Sequence, residues 1–447
     1  MKYDCVIIGG GPAGLVTAMT AKKSYPDKSI AVIKKEEVGM VPCGIPYIFN
    51  TLKSIDENVL LLKPFEDLGI EFIVDEVTDV DLKSKVVKTA NGKEISYEKL
   101  VFATGSKPVI PKIDGVDKEG VFVVSKYADE LERLYNATKK SEKIVIVGGG
   151  FIGLEVGDQL AKSGKKVTIV EMMDQLLPVA FDKEFAEVAK SELEKLGVKI
   201  YLNNTVKRIL GDSSVEGVEL ADGTKIDADL VILSVGYRPN VELAEKAGLK
   251  IGESGAIWVD EYMRTNVNDV FAVGDCAEHR DFFTSKPIRL LLASVACADG
   301  KVAGANLFKL RVTKANKGTL SVFSTYVGNL AFGAAGLTET MAKREGFDVV
   351  VGVCDTVNRH PAKIPDAVPV KVKLLFCADT GKILGGQIYG GKEVGEMINI
   401  VSLAIQNGMT ASDLSTAQVG THPLLTPAPV MYPIIIAAEN ALIKMKK

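Results

Sequence analysis

The stretch YDCVIIGGGPAGLVTAMTAKK opens on an apolar, β-branched run, crosses a glycine-rich turn and continues with the spacing of an Ala-rich helix. SIAVIKKE follows as a second apolar run, and the whole pattern returns at KIVIVGGGFIGLEVGDQLAKSGKKVTIVE. Each copy predicts a strand, a tight turn, a helix and a further strand, the unit from which parallel α/β sheets are built. VFATGSKPVIP (101–111) reads as a strand ending in Ala-Thr-Gly and then prolines, and LVILSVGYRPN (230–240) repeats that layout. DVFAVGDCAE (269–278) is a strand ending in Gly-Asp, followed by a helix-like LASVACADGKVAGANLF. The last third has a different texture. VPVKVKLLFCADTGKILGGQIYG predicts two strands around an Asp-Thr-Gly turn, and EVGEMINIVSLAIQNGM has helical spacing. With the Pro-spaced HPAKIPDAVP (360–369), these define a separate α+β domain from near residue 320.

The turns have a definite chemistry. Gly9, Gly11 and Gly14, and again Gly148, Gly150 and Gly153, form G-x-G-x-x-G after a strand and before a helix. The first glycine permits the turn, the second lets a pyrophosphate approach the backbone, and the third allows close helix–strand packing. The phosphate then meets the unpaired N–H groups at the helix start. Two such turns imply two dinucleotides. Glu171 ends the second unit's second strand, 18 residues beyond Gly153. An acid there accepts hydrogen bonds from a ribose diol and repels a 2′-phosphate, and Met172 and Met173 supply no arginine to hold one. NADH is therefore favoured over NADPH. The first unit offers Lys34, Lys35 and Glu36 at the matching place, and which of them meets a ribose stays open.

Composition narrows the class. The chain has 447 residues, 47% hydrophobic and 25% charged, with a formal net charge of −3, so nothing favours nucleic acid as a partner. The basic KMKK at the end reads as a solvated terminus. No apolar run reaches the roughly 18–20 residues of a membrane span. PVMYPIIIAAENALI comes nearest and is broken by Pro433 and Glu439. The start enters a strand at once, without the pattern of a secretory signal, so a cytoplasmic location is expected. Six cysteines lack C-x-x-C spacing or a Cys/His cluster, so no metal site is expected and the default is reduced thiols. Cys5, Cys276, Cys297 and Cys354 stand among apolar or small residues and are expected in the core. Cys43 in GMVPCGIPYI lies between Pro42 and Pro46. From residues alone it is packing, half of a disulfide, or a reagent.

Together the paired glycine motifs, the ATG and VGDCAE strand ends and the C-terminal domain resemble the flavin-dependent pyridine nucleotide-disulfide oxidoreductases over nearly the whole chain. PCGIPY resembles the single-cysteine branch: NADH oxidases, coenzyme A-disulfide reductases, NADH peroxidases, and sulfur or polysulfide reductases. The resemblance implies an α/β fold with two Rossmann-like dinucleotide-binding domains, for FAD and NAD, plus a C-terminal α+β dimerisation domain. The expected limits are 1–113 with 246–320 for FAD, 114–245 for NAD, and 321–447 for a homodimer interface.

Residue by residue, the resemblance implies FAD contacts from Gly9, Gly11, Pro12, Ala13, Gly14, Lys34, Ala103, Thr104 and Gly105. Glu76 and Val77 would lie by the adenine, Gly274 and Asp275 by the ribitol and phosphate, and Ala293 and Ser294 by the pyrimidine edge. Gly148, Gly150, Phe151, Ile152, Gly153, Glu171 and Gly236 would serve NADH. Glu155 would meet the nicotinamide carboxamide. Phe151 stands where relatives often place a tyrosine that covers the flavin, and it also reads as a packing residue.

Dithiol members carry a second cysteine five residues after the first, a position held here by Ile48. The resemblance therefore implies that Cys43 alone cycles beside the flavin as thiolate and sulfenic acid or mixed disulfide, the thiolate being the nucleophile. Pro12 stands where peroxidases and some water-forming oxidases carry a histidine, which counts against peroxide as main substrate. The paired tyrosines of coenzyme A-disulfide reductases are missing from NRHPAKIPDA and VGTHPLLTPAP. In THPLLTPAP, His422 resembles the general acid that dithiol reductases present to the partner subunit, although Pro427 stands where its acidic partner would be. His422 also reads as an interface histidine, His360 as structural, and His279 as an exposed loop residue. The implied activity is an NADH oxidase-type oxidoreductase serving a small-molecule electron acceptor: dioxygen, polysulfide or a low-molecular-weight disulfide. The other readings are a reductase of an electron-transfer protein such as rubredoxin or ferredoxin, a coenzyme A-disulfide reductase, and a non-catalytic flavin-binding interaction module.

Overall fold

The computed structural model describes residues 1–313 and 318–445, so Lys446 and Lys447 of the terminal basic run lie outside the described residues. The chain divides into two compact units.

The first unit comprises Met1–Ile110, Val123–Asn136 and Gly236–Thr319. Its parallel core orders the strands Ile70–Val74, Ile30–Lys34, Lys2–Ile8, Glu94–Phe102 and Val270–Ala272. Val86–Thr89 and Val77–Asp81 extend it antiparallel. Ile30–Lys34, Val270–Ala272 and the carboxyl-terminal ends of Lys2–Ile8 and Glu94–Phe102 are buried throughout, which is why they read as apolar runs, whereas the edge strand Ile70–Val74 exposes Glu71 and Val74. Cys5, Val6, Ile7, Leu100, Val101, Phe102 and Ala272 have no exposed surface. Each large side chain so buried contributes about 1.5–3 kcal/mol. The helices Pro12–Ser24 and Ala293–Asn306 pack backbone to backbone through small residues. A Cβ on Gly300 would stand 2.8 Å from the Ala13 carbonyl oxygen, and one on Gly304 2.6 Å from that of Thr17.

Register places the site. Ile8 is level with Ile33 and Phe102, and Phe102 with Ala272. Gly9, Lys34, Ala103 and Val273 therefore emerge together at the carboxyl ends of the strands, where ligands bind open α/β sheets.

The second unit comprises Pro111–Phe122, Ala137–Val235 and Leu320–Lys447. Its parallel strands run Lys199–Tyr201, Lys166–Val170, Lys143–Val147, Leu230–Leu233, with Val121–Val123 at the edge. Val147 is level with Val170 and Leu233, so Gly148, Glu171 and Ser234 emerge together. The same unit holds an antiparallel sheet ordered Val322–Val327, Leu330–Gly336, Ile383–Gly390, Pro369–Cys377, Val349–Val357. The helices Val394–Gln406 and Pro433–Met445 pack on it. The two strands around the Asp-Thr-Gly turn and the helix after them stand as their spacing predicts. Among the described residues no helix is long and apolar enough to cross a membrane.

Lys373, on the interior strand Pro369–Cys377, is 5% exposed in its side chain and ion-paired to Asp182 at 3.0 Å, Glu184 at 2.6 Å and Glu339 at 2.9 Å. Asp182 precedes the Lys183–Lys195 helix, yet its carboxylate turns to this lysine and accepts the Gln387 amide at 2.6 Å. Burial raises both costs, and the mutual pairing wins: the Lys373 ammonium is held above its ordinary range and the Asp182 carboxyl below its own.

Candidate active site

The first glycine turn is built by close approach. Gly9 has φ +120°, and a Cβ there would lie 2.1 Å from the Ala103 carbonyl oxygen. A Cβ on Gly14 would lie 2.1 Å from the Gly9 carbonyl oxygen. Gly11 faces open space instead, with no atom within 4 Å of a built Cβ. It is the N-cap of the Pro12–Ser24 helix without any side-chain cap bond, and Pro12 follows as the first helical residue. Uncapped N–H groups beside an open approach are what a pyrophosphate requires, so this cradle fits a dinucleotide.

Around it stand the other expected contacts. Ala103 is buried, and the Thr104 hydroxyl donates to the Asn240 carbonyl at 2.6 Å. Gly105, with φ +69°, accepts the Asn240 N–H. Lys34 ends its strand against Gly10, buried, its ammonium donating to the Glu37 carbonyl at 2.7 Å. Burial lowers its pKa. Val77 begins the antiparallel extension. Ala293 and Ser294 open the Ala293–Asn306 helix, half-buried and exposed respectively.

Gly274 has φ +72°, and its N–H donates to the Asp299 carboxylate at 3.0 Å. The same oxygen meets His279 Nε2 at 2.8 Å. His279, expected in an exposed loop, is 3% exposed and braces this turn from behind. Its buried partner lies on a helix that the local pattern around residue 279 does not reveal. Asp275 Oδ2 accepts the Ser106 hydroxyl at 2.6 Å and the Lys126 ammonium at 2.9 Å. Lys126 lies 5.1 Å from the centre of the Tyr237 ring. Burial pushes the Tyr237 hydroxyl above its ordinary range.

Cys43 is exposed and stands in the first turn of a 3₁₀ helix, Pro42–Phe49. Pro42 and Pro46 lie in that helix, and Ile48 and Phe49 bury its far end. The Gly44 N–H donates to the Val41 carbonyl at 3.0 Å. A Cβ on Gly44 would fall 1.9 Å from Asn58 Oδ1, and the Asn58 amide holds the Val41 carbonyl at 3.1 Å. The thiol is thus set on a backbone clamped from both sides. Of the cysteines expected in the core, Cys5, Cys276 and Cys354 are buried, whereas Cys297 is only half-buried on one turn of its helix.

The second glycine turn repeats the first. Gly148 has φ +110° and a built Cβ would stand 2.6 Å from the Ser234 carbonyl oxygen, while one on Gly153 would stand 2.0 Å from the Gly148 carbonyl. Gly150 is open, uncapped by any side chain, and Phe151 and Ile152 begin the Phe151–Lys162 helix. Glu171 is buried, with Oε2 accepting Gly149 N–H at 2.6 Å and Oε1 accepting Met173 N–H at 2.8 Å. Met172 and Met173 are exposed beside it. The Phe151 ring stacks on Phe323 with centroids 5.0 Å apart. Glu155 Oε1 accepts the Thr325 hydroxyl at 2.7 Å, and burial pushes its carboxyl up to about 7. Gly236, φ +107°, accepts the Val109 N–H through its carbonyl.

His422 is exposed, and its Nδ1 accepts the Leu424 N–H at 3.3 Å, so the neutral ring carries its proton on Nε2. His360 Nδ1 faces the Thr426 carbonyl at 3.2 Å, and its N–H donates to the Pro423 carbonyl. The two His-Pro loops are therefore tied together. Lys126, Ser106, Asp299 and Thr325 were invisible as site residues because each acts through a partner remote in the chain. Only the Gly-Asp strand end marked a place where such partners would gather.

The model of the pyridine nucleotide-disulphide oxidoreductases matches residues 3–300, and that of their dimerisation domain matches residues 322–432. The chain belongs to this family of flavin- and NAD(P)H-dependent oxidoreductases and is an enzyme of that class. It is 38% identical to an NADH oxidase of Methanocaldococcus jannaschii, over 98% of this chain and 99% of that protein. It is 35% identical to an NAD(P)H coenzyme A polysulfide/persulfide reductase of Pyrococcus horikoshii, over 98% of each. Its fold superposes with TM-score 0.92 and 34% identity on an NAD-dependent persulfide reductase from A. fulgidus, covering all of this chain and 84% of that one.

Proposed function

We propose that this protein is an NADH oxidase-type flavoenzyme that passes electrons from NADH, by way of FAD and Cys43, to a small acceptor: dioxygen, polysulfide or a low-molecular-weight disulfide. The carrying observation is the exposed Cys43 thiol, held on the clamped Pro42–Phe49 turn in the same unit as the open Gly11 cradle. Relatives named for oxygen and for polysulfide or persulfide chemistry, 38% and 35% identical, support that range of acceptors. When bound, the flavin supplies acceptance of hydride from a nicotinamide and delivery of electrons to sulfur or oxygen.

The chain's own residues do the rest. Gly9, Gly11, Pro12, Ala13 and Gly14 hold the FAD pyrophosphate at the helix start; Lys34 and Val77 border its adenosine. Ala103, Thr104, Gly105, Gly274, Asp275, Ala293 and Ser294 hold the flavin side. Gly148, Gly150, Phe151, Ile152, Gly153 and Gly236 take NADH, and Glu155 meets its carboxamide. Glu171 favours NADH over NADPH, since a 2′-phosphate would face a buried carboxylate rather than an arginine. Cys43 supplies the thiolate that attacks sulfur, and His422, once protonated on both ring nitrogens, hands a proton to a departing thiolate or hydroxide and returns to its neutral form. Residues 1–113 with 246–320, 114–245 and 321–447 act as FAD-binding, NAD-binding and dimerisation domains of a cytoplasmic homodimer.

Steady-state NADH consumption against dioxygen, hydrogen peroxide, polysulfide and coenzyme A disulfide, with peroxide formation measured, tests the reading. Turnover with dioxygen or polysulfide is expected, and weak turnover with peroxide. Turnover with none of these, but with a rubredoxin or ferredoxin, would replace it with the electron-transfer reading.

A further inference from the structure

Glu155, Asp158 and Lys162 lie at intervals of three and four along the Phe151–Lys162 helix and so share one face. All three engage the hairpin formed by Val322–Val327 and Leu330–Gly336. Thr325 donates its hydroxyl to Glu155 Oε1 at 2.7 Å. The Gly328 N–H donates to Asp158 Oδ1 at 2.7 Å, and Lys162 donates to the Gly328 carbonyl at 2.9 Å. Lys162 also pairs with Asp158 at 2.8 Å and lies 5.6 Å from the Tyr326 ring centre. From the Lys183–Lys195 helix, Glu192 accepts the Asn329 N–H at 3.2 Å. A hairpin gripped at four points, three of them on its turn, has little freedom to slide, and Thr325 is itself buried.

We propose that Thr325 is a positioning residue of the nicotinamide site, its hydroxyl fixing the orientation and charge of Glu155 for NADH. The inference rests on the reading that Glu155 meets the nicotinamide carboxamide. That amide presents both a carbonyl acceptor and N–H donors. A charged Glu155 accepts from the N–H; a neutral one can donate to the carbonyl. The protonation state therefore selects the amide edge that is held. Burial raises the Glu155 pKa, the Thr325 hydrogen bond opposes that rise, and Asp158 adds to it. The remaining charges near this face are compensated locally: Lys162 by Asp158, and Glu192 by Lys195 at 2.5 Å. On the strands behind the helix, Lys143 pairs with Asp227 and Lys166 with Glu142, both toward solvent. Thr325 is thus the neighbour whose removal changes the titration of Glu155 without altering net charge. Its place on the C-terminal sheet makes that sheet part of the nicotinamide site.

The test uses the holoenzyme, with anaerobic reduction of its flavin by NADH followed across pH. In parallel, the Glu155 carboxyl band is titrated by difference infrared spectroscopy and assigned with Glu155→Gln. The native protein should titrate with a midpoint of about 7. Thr325→Val removes a hydrogen bond to the carboxylate, so the midpoint should rise by about one pH unit. The same variant should change KM for NADH and leave KM for the acceptor alone. Thr325→Ser should restore both, and Thr325→Ala serves if the valine variant fails to fold. An unmoved midpoint in the Val or Ala variant, with the titration abolished in Glu155→Gln, overturns the inference while leaving the Glu155 reading intact. A native pH profile in Glu155→Gln overturns that reading and the inference with it.

Discussion

The ammonium of Lys126 lies 2.9 Å from Asp275 Oδ2, the oxygen that also accepts the Ser106 hydroxyl at 2.6 Å. The Gly274–Asp275 turn is therefore held by charge on one side and by Asp299 on the other. Lys126→Met leaves the mostly buried Asp275 carboxylate without its cation, a loss of about 1–3 kcal/mol. Flavin retained per chain after gel filtration should fall in this variant, and Lys126→Arg should recover most of it.

The open glycines, Gly11 and Gly150, and the crowded ones, Gly9, Gly14, Gly148 and Gly153, separate folding from binding. Gly11→Ala adds a methyl group where nothing stands within 4 Å, so the protein should fold normally. That methyl fills the approach to the helix start, and flavin content should drop sharply. Gly14→Ala drives its methyl into the Gly9 carbonyl at 2.1 Å and should lower stability as well, by on the order of 3 kcal/mol or more. Thermal melts of the flavin-free proteins distinguish the two.

Nucleotide preference should follow the charge at the end of the Lys166–Val170 strand. Replacing Glu171 by Ala and Met172 by Arg exchanges a buried carboxylate for an exposed guanidinium able to grip a 2′-phosphate. The NADPH-to-NADH ratio of kcat/KM should rise by about 10–100-fold, since a well-placed charge contact is worth about 1.5–3 kcal/mol. Loss of the Gly149 and Met173 hydrogen bonds should also raise KM for NADH.

Lys373 serves three carboxylates, and Asp182 is as deeply buried as the lysine. Lys373→Met should cost about 3–5 kcal/mol in unfolding free energy, because it strands a buried charge. The effect should depend on pH with a definite sign. The native Asp182 carboxyl titrates below its ordinary range, so its pairing stabilises the fold above the unfolded carboxyl pKa and is lost as pH falls through the native value. In the variant this acid-side loss should shrink. Denaturant unfolding at pH 7 and at pH 3 measures both.

The sequence disclosed what is local. Strand, glycine turn and helix lie within a few residues of one another, so both cradles and Glu171 were legible from spacing alone. The level ends of the parallel strands bring Gly9, Lys34 and Ala103 together, a placement set by the register between strands and named in the sequence only through the family resemblance. Contacts between distant segments were not legible. His279 finds Asp299 20 positions on, on a helix whose spacing is legible but whose facing side is not, Lys126 finds Asp275 from 149 positions away, and Asp182 finds Lys373 from 191 away. Phe151 was expected as a flavin cover or a packing residue, and its stacking partner Phe323 comes from the C-terminal sheet. In each case tertiary packing selects the partner, and no periodicity records it.

The single thiol of Cys43 carries the account, and replacing one atom tests it. In Cys43→Ser, rapid mixing with NADH under nitrogen should still bleach the flavin at close to the native rate, while steady-state reduction of polysulfide collapses to background. Undiminished turnover in the serine variant would contradict the account and leave electrons reaching the acceptor without sulfur.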